Sequence, residues 1–211
     1  MHRGALLFGF AERVADAFSG GIPGHRGAER DLSDTANAAK VVQAVKDRYG
    51  RIDVVSYQPL PGGTAFVPAA ELDAERLSHW LNLFLLTPVA IAHSVLTEMT
   101  GGFIVTGGFT AADPQPFISG IGPAMAGIRN FVYSLHGEVA DAGVYAGVVT
   151  LSALIKHSEA YHAMSPEQLA EITGGTTGIH VIDPADLAET YWRLFTDRDR
   201  TEYRFPDPAA H

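Results

Sequence analysis

The sequence predicts an α/β fold, a doubly wound parallel sheet with helices on both faces, and three observations carry that expectation. Phe103-Ile104-Val105-Thr106 and Val144-Tyr145-Ala146-Gly147-Val148-Val149 are runs that stay apolar on alternate and intervening positions alike. Strands covered by helices on either side have that composition. Between them lies a long apolar segment, Ile118–Ala140, with the length of a crossover helix, which two parallel neighbours require. In such a sheet ligands sit at the carboxyl ends of the strands, so the residues after Val105 and Val149 face the site.

Each element follows in order. Ala5-Leu6-Leu7-Phe8 reads as a short buried strand ended by Gly9, and Phe10–Phe18 as a helix stopped by Gly20-Gly21. Gly21–Arg30 is polar and Gly-rich, a loop or at most one edge strand. Asp31-Leu32-Ser33-Asp34 opens a helix through Tyr49, with Ala38, Val41, Val42 and Val45 at helical spacing and Gly50 as the stop. Ile52–Tyr57 is the next strand and Leu60–Thr64 a Pro/Gly loop. Glu71–Met99 is helical, with Thr87-Pro88 predicting a break or kink. After Val149 a linker runs to Met164. Ser165-Pro166-Glu167-Gln168 is a capping box. Thr173–Gly178 is a loop, Asp183-Pro184 caps a last helix carrying Leu187, Tyr191, Trp192, Leu194 and Phe195, and Thr201–Pro206 is an edge strand. No repeat or linker divides the chain, so one domain over 1–211 is expected, with 153–180 covering the site.

Composition narrows the function. At 211 residues, 46% hydrophobic and 18% charged, the chain can bury a substantial core and is not expected to be disordered. No apolar run approaches the roughly 18 residues that span a bilayer, and Ala5–Phe10 is too short for a secretory signal. With no cysteine, disulfides and thiolate chemistry are excluded. A net charge of −9 without a Lys/Arg cluster argues against a nucleic-acid groove. The expectation is a cytoplasmic domain that binds a small molecule or another protein.

Local sequences sharpen this. Asp31-Leu32-Ser33-Asp34, Tyr49-Gly50-Arg51-Ile52-Asp53-Val54-Val55, Asn82 within Trp80-Leu81-Asn82-Leu83, and Ala126-Gly127-Ile128-Arg129-Asn130-Phe131 follow one another in the order and spacing of a known family. The chain resembles the short-chain dehydrogenases/reductases, a Rossmann-like fold, from about Asp31 to Phe205. The resemblance implies a sheet shortened at its adenosine-side edge, because the stretch between the helix Phe10–Phe18 and Asp31 leaves room for one strand at most. It also implies a dimer through helices 77–99 and 121–140, either a homodimer or a pair with an intact paralogue.

The family's reactive residues do not carry over. Its proton-donating Tyr falls on Ile121, the Lys that tunes that Tyr and holds the ribose falls on Met125, and its Ser falls on Gly108. Losing a positioned general acid costs about 10²–10⁴-fold in rate. The Gly-rich phosphate loop is reduced to Gly9, followed by bulky Phe10 and anionic Glu12, where a pyrophosphate needs open backbone. From these losses the sequence reading expects no nicotinamide cofactor, although a remnant nucleotide site near Gly9 and Asp31 stays open.

What remains for chemistry is Tyr57, Asn82, His157 and His162 as candidate catalytic groups. Gln58, Thr106, Gly108, Phe109, Ile121, Met125, Leu151, Ser152 and Tyr161 are the candidate substrate lining. Either His could act as a base near neutral pH, with Tyr161 as a phenolic donor; the alternative is a polar segment on a covering loop. Asn82 could equally satisfy a backbone carbonyl. No metal site is expected, since His157 and His162 do not share a helix face and no third ligand is near. Three functions stay open: a cofactor-independent enzyme that cyclises, isomerises or eliminates on a hydrophobic metabolite, a non-catalytic partner or ligand-binding subunit, and a residual NAD(P)-dependent oxidoreductase.

Overall fold

The elements, in chain order, are β1 (Ala5–Phe8), α1 (Ala36–Tyr49), β2 (Ile52–Tyr57), α2 (Ala74–Leu81), α3 (Thr87–Val95), β3 (Gly102–Gly108), α4 (Ile121–Val139), β4 (Tyr145–Leu151), β5 (Ala153–Ile155), α5 (Glu159–His162), α6 (Pro166–Thr173), β6 (His180–Ile182), α7 (Pro184–Asp197) and β7 (Glu202–Phe205). They come from a computed structural model that describes residues 5–8, 31–59, 67–173 and 180–205. The expected helix Phe10–Phe18, the loop Gly21–Arg30, the residues Gly9 and Glu12 and the loop Leu60–Thr64 lie outside these.

Five strands form one sheet in the order β1-β2-β3-β4-β7, every pairing parallel. Alternation along β3 explains how the sheet is covered. Phe103 and Val105 point to one face and join Val55, Ile91, Val95, Ile128, Val132 and Val148 in a core beneath α1, α3 and α4. Ile104 points to the other face and packs with Tyr145, Val149, Leu187, Tyr191 and Leu194 beneath α7. Each large side chain so buried contributes about 1.5–3 kcal/mol. The fold expectation holds: helices lie on both faces of a parallel sheet.

The two predicted caps form. The Gln168 N–H donates to Ser165 Oγ at 3.3 Å while the Ser165 N–H donates to Gln168 Oε1 at 2.9 Å, a reciprocal capping box before α6. Asp183 accepts the Ala185 N–H at 3.0 Å and starts α7. Other expectations need correction. Asp31 accepts from the Ser33 N–H and Asp34 from the Ala36 N–H, so this segment is a pair of side-chain turns and α1 begins only at Ala36. The linker after Val149 holds β5 and α5, and β5 pairs with β6 in a separate two-stranded parallel ribbon.

The expected break at Pro88 is instead a widening. Residues Asn82–Leu86 form a π-helical turn between α2 and α3, in which the Thr87 N–H reaches back to the Asn82 carbonyl. Thr87 caps nothing; its hydroxyl donates to the Leu32 carbonyl at 2.7 Å. Pro88 has no N–H and its ring would press on the carbonyl four residues back in a regular α-helix, which the wider turn relieves.

Candidate functional site

The carboxyl end of β3 and the first two turns of α4 bring the replaced positions together. A Cβ on Gly108 would stand 3.8 Å from Met125 Cγ, so these two neighbours share one small volume. Met125 is buried against Trp80, Leu83, Phe84 and Ala124, with half-buried Ile121 packed on the same cluster. Trp80 lies across Gly120, where a Cβ would come within 3.0 Å of its indole. Above this, Val67 and Ile118 form an isolated parallel bridge, and the Ser119 N–H donates to the Val67 carbonyl at 3.2 Å. The segments that follow β2 and β3 are therefore joined.

Tyr57 is committed to the fold. The passage from π to α register bypasses the Leu83 carbonyl, and Pro88 offers it no proton. The Tyr57 hydroxyl takes that carbonyl at 2.6 Å. Burial pushes the phenol well above its ordinary range, which suits a fixed donor better than a proton-transfer group. Asn82 is half-buried at the start of the wide turn, and its backbone carbonyl is satisfied by Thr87. Among the described residues no hydrogen bond is made by its side-chain amide, so the alternative in which that amide serves a backbone carbonyl is not the arrangement seen.

The remaining candidates scatter. Gln58 is buried and donates to Ser56 Oγ. Thr106 turns to the α7 face, where it shares a short hydrogen bond with the buried Tyr191 hydroxyl. Phe109 opens a 3-10 turn, Phe109–Ala111, after β3. Leu151 ends β4, and the Ser152 N–H donates to the Phe205 carbonyl at 2.7 Å. His157, Tyr161 and His162 form a ring cluster with centroids 5.8–6.3 Å apart. Both histidines are exposed, and His157 has a φ of 64°. No hydrogen bond among the described residues joins them to Asn82 or Tyr57, so the four candidate catalytic groups do not form one hydrogen-bonded set. Nor does any group of three His, Asp or Glu among the described residues converge on a metal-sized point.

Sequence reasoning missed two features. Arg129 Nε and Nη2 grip Glu202 at 2.9 and 2.7 Å, the hydroxyls of Tyr133 and Thr150 donate to it at 2.8 and 2.7 Å, and Arg204 Nε lies 3.4 Å from the same carboxylate. Burial alone would raise the Glu202 carboxyl, but these hydrogen bonds and the Arg129 charge outweigh it and hold the group at about 2. The signal was Arg129 and Tyr133 one turn apart on a mostly apolar helix. The second is Thr110, buried immediately beyond β3, which no motif marks.

The fold has counterparts among solved structures. A blue fluorescent protein from a metagenomic library, in complex with NADPH, superposes with a TM-score of 0.71 at 16% identity over 86% of this chain and 74% of its own. An NADPH-bound short-chain oxidoreductase from Pseudomonas aeruginosa PAO1 with an atypical catalytic center gives 0.68 at 18% identity, covering 82% and 72%. The 3-ketoacyl-(acyl-carrier-protein) reductase of Brucella melitensis, complexed with NADH, gives 0.67 at 14%, covering 82% and 74%. The fold is that of the short-chain dehydrogenases/reductases. No family model and no curated protein matches the chain by sequence.

These likenesses correct one expectation outright. The cofactor-free reading does not stand, because counterparts of this short-chain reductase fold hold NADPH and NADH. The described residues fit that group in part. Gly108 keeps the strand end free of a side chain, and a Cβ there would be in ordinary contact with Thr110 Oγ1 and Met125 Cγ at 3.7 and 3.8 Å. The charge does not fit, since the position that holds the ribose by lysine in this family is the buried thioether of Met125. No helix among the described residues is long and apolar enough to cross a membrane.

Proposed function

We propose that this protein binds a nicotinamide dinucleotide along the carboxyl ends of its strands, with a small apolar molecule beside it. The proton relay of the fold's reductases is not run. One observation carries the second half of that reading: Gly108, Ile121 and Met125, three residues that neither give nor take a proton, stand at the end of β3 and in the first two turns of α4. The counterpart with an atypical catalytic center supports the first half, because its own structure holds NADPH.

Thermal melting with millimolar NADH, NADPH, NAD and NADP tests the binding. A ligand specific to the folded state raises stability by about 2.7 kcal/mol at a hundredfold excess over Kd. A rise with any of the four is expected, and none with all four sinks the reading. The relay is tested by restoring it as Gly108→Ser, Ile121→Tyr and Met125→Lys together. A Cβ at 108 fits without a clash. The restored variant is expected to oxidise NADPH with small ketones where the parent does not. A parent as active as the variant refutes the loss.

A second reading concerns assembly. Leu86 on the wide turn and Tyr133 on α4 are 47% and 44% exposed, on the two helices through which this family pairs. We propose a dimer there, with a second copy or with an intact paralogue. Light scattering on the pure protein decides between a homodimer and a chain that needs another partner.

A further inference from the structure

We propose that Thr110 supplies the hydroxyl that residue 108 lacks, and that it hydrogen-bonds the oxygen of a small carbonyl- or hydroxyl-bearing molecule seated against Ile121 and Met125, which rests on the reading that an apolar molecule occupies this end of the sheet. Thr110 lies in the 3-10 turn directly after β3 and is only 6% exposed. Among the described residues, each of the other buried Ser, Thr and Gln side chains has a partner. Ser56 and Gln58 pair with each other, Thr87 donates to the Leu32 carbonyl, Thr150 to Glu202 and Thr190 to the Asp186 carbonyl.

Among the described residues nothing hydrogen-bonds the Thr110 hydroxyl. Yet no side-chain oxygen or nitrogen that is wholly shut from solvent goes without a partner. The Thr110 oxygen therefore opens onto accessible space although its residue is packed. That space is the site: Thr110 Oγ1 lies 3.7 Å from where a Cβ on residue 108 would stand, and Met125 Cγ lies 3.8 Å from the same point. On the other side, a Cβ on Gly122 would meet Thr110 Cβ at 3.9 Å, which sets the side chain against the first turn of α4.

Packing alone would be served as well by valine, whose shape is nearly the same. A hydroxyl on an otherwise packed residue that opens onto this space without an internal partner has its hydrogen-bonding capacity free for a molecule that enters there. Threonine can donate to a carbonyl and can either donate to or accept from a hydroxyl. It does not release its proton at neutral pH, so its role is to hold and orient the ligand oxygen while Ile121 and Met125 contact the apolar body.

The test uses two probes of matched shape, acetophenone and ethylbenzene, titrated by saturation-transfer NMR into the intact protein, Thr110→Val and Thr110→Ser. The parent is expected to prefer acetophenone about 5–10-fold, the ratio one neutral hydrogen bond confers. Thr110→Val should erase that preference while leaving ethylbenzene binding unchanged, and Thr110→Ser should keep it. An equal preference in Thr110→Val, or none in the parent, overturns the proposal. Melting with the four nucleotides separates the two readings. A preference that depends on Thr110 without a shift from any of the four nucleotides refutes the nucleotide and leaves Thr110 standing; a nucleotide shift without the preference does the reverse.

Discussion

Removing the Tyr57 hydroxyl should unfold the protein more readily without touching ligand binding. The Leu83 carbonyl lies inside the π turn, where the Thr87 N–H goes to Asn82 and Pro88 has none to give. The phenol at 2.6 Å replaces these lost donors, and Tyr57 itself is 3% exposed, so water cannot readily take its place. In Tyr57→Phe the ring stays and the carbonyl is left buried and unpaired, which costs about 1–3 kcal/mol. With a urea dependence of about 2 kcal/mol per molar, the midpoint should fall by about 1 M at unchanged slope. Equilibrium urea unfolding followed by far-UV circular dichroism reads this directly. A loss under about 0.5 kcal/mol would refute the reasoning, showing that the Leu83 carbonyl has another donor and that the hydroxyl is free for chemistry.

Acid should remove a specific increment of stability. The Glu202 carboxyl sits at about 2 in the folded protein against an ordinary 4.5, so its contribution is complete above pH 4.5 and is lost as pH falls from there through 2. That difference corresponds to about 3 kcal/mol at most, reduced to about 2 by solvent at the sheet edge; Glu202→Gln should flatten the acid limb of the stability profile, and an unchanged limb would contradict it. Gly147→Ala places a methyl against the Tyr145 hydroxyl and ring, pushing that hydroxyl off the Arg200 carbonyl it holds at 2.8 Å. A loss of about 1–3 kcal/mol is expected in thermal melts, and a neutral result would mean that the ring swings aside freely. Phe117 is 65% exposed with a φ of 66°. Phe117→Gly should therefore be nearly neutral, the relieved strain offsetting glycine's entropy, while Phe117→Val loses about 1 kcal/mol; equal effects would speak against the left-handed backbone.

Much of the fold was legible because its causes are local. The runs at β2, β3 and β4 declare themselves by composition, and the caps at Ser165 and Asp183 by the chemistry of adjacent residues. What escaped depends on distance along the chain. The carbonyl that the π turn leaves over is taken up by Tyr57, 26 positions back, and the Arg129 pair is completed by Glu202, a residue 73 positions on. The strands β5 and β6 have three residues each, too few to show a period. At the site, Ile121, Met125 and Gly108 could be read as residues that do not transfer protons. Those residues report on proton transfer and not on whether backbone shape still suits a nucleotide, which is where the cofactor expectation went astray. Thr110 was invisible because its significance is the lack of an internal partner, a property of packing.

The last strand of the sheet has a consequence for how the protein is made. On β4 the N–H groups of Val148 and of neighbouring Ser152 find acceptors only in the Thr201 and Phe205 carbonyls, at 2.9 and 2.7 Å. A ribosome delivers β7 after every other strand of the sheet. Until then the nascent chain carries an open, valine-rich edge and an Arg129 without its carboxylate. Such an edge pairs readily with other chains. The interval between synthesis of Leu151 and release of Phe205 is thus when the protein most needs dilution or a chaperone.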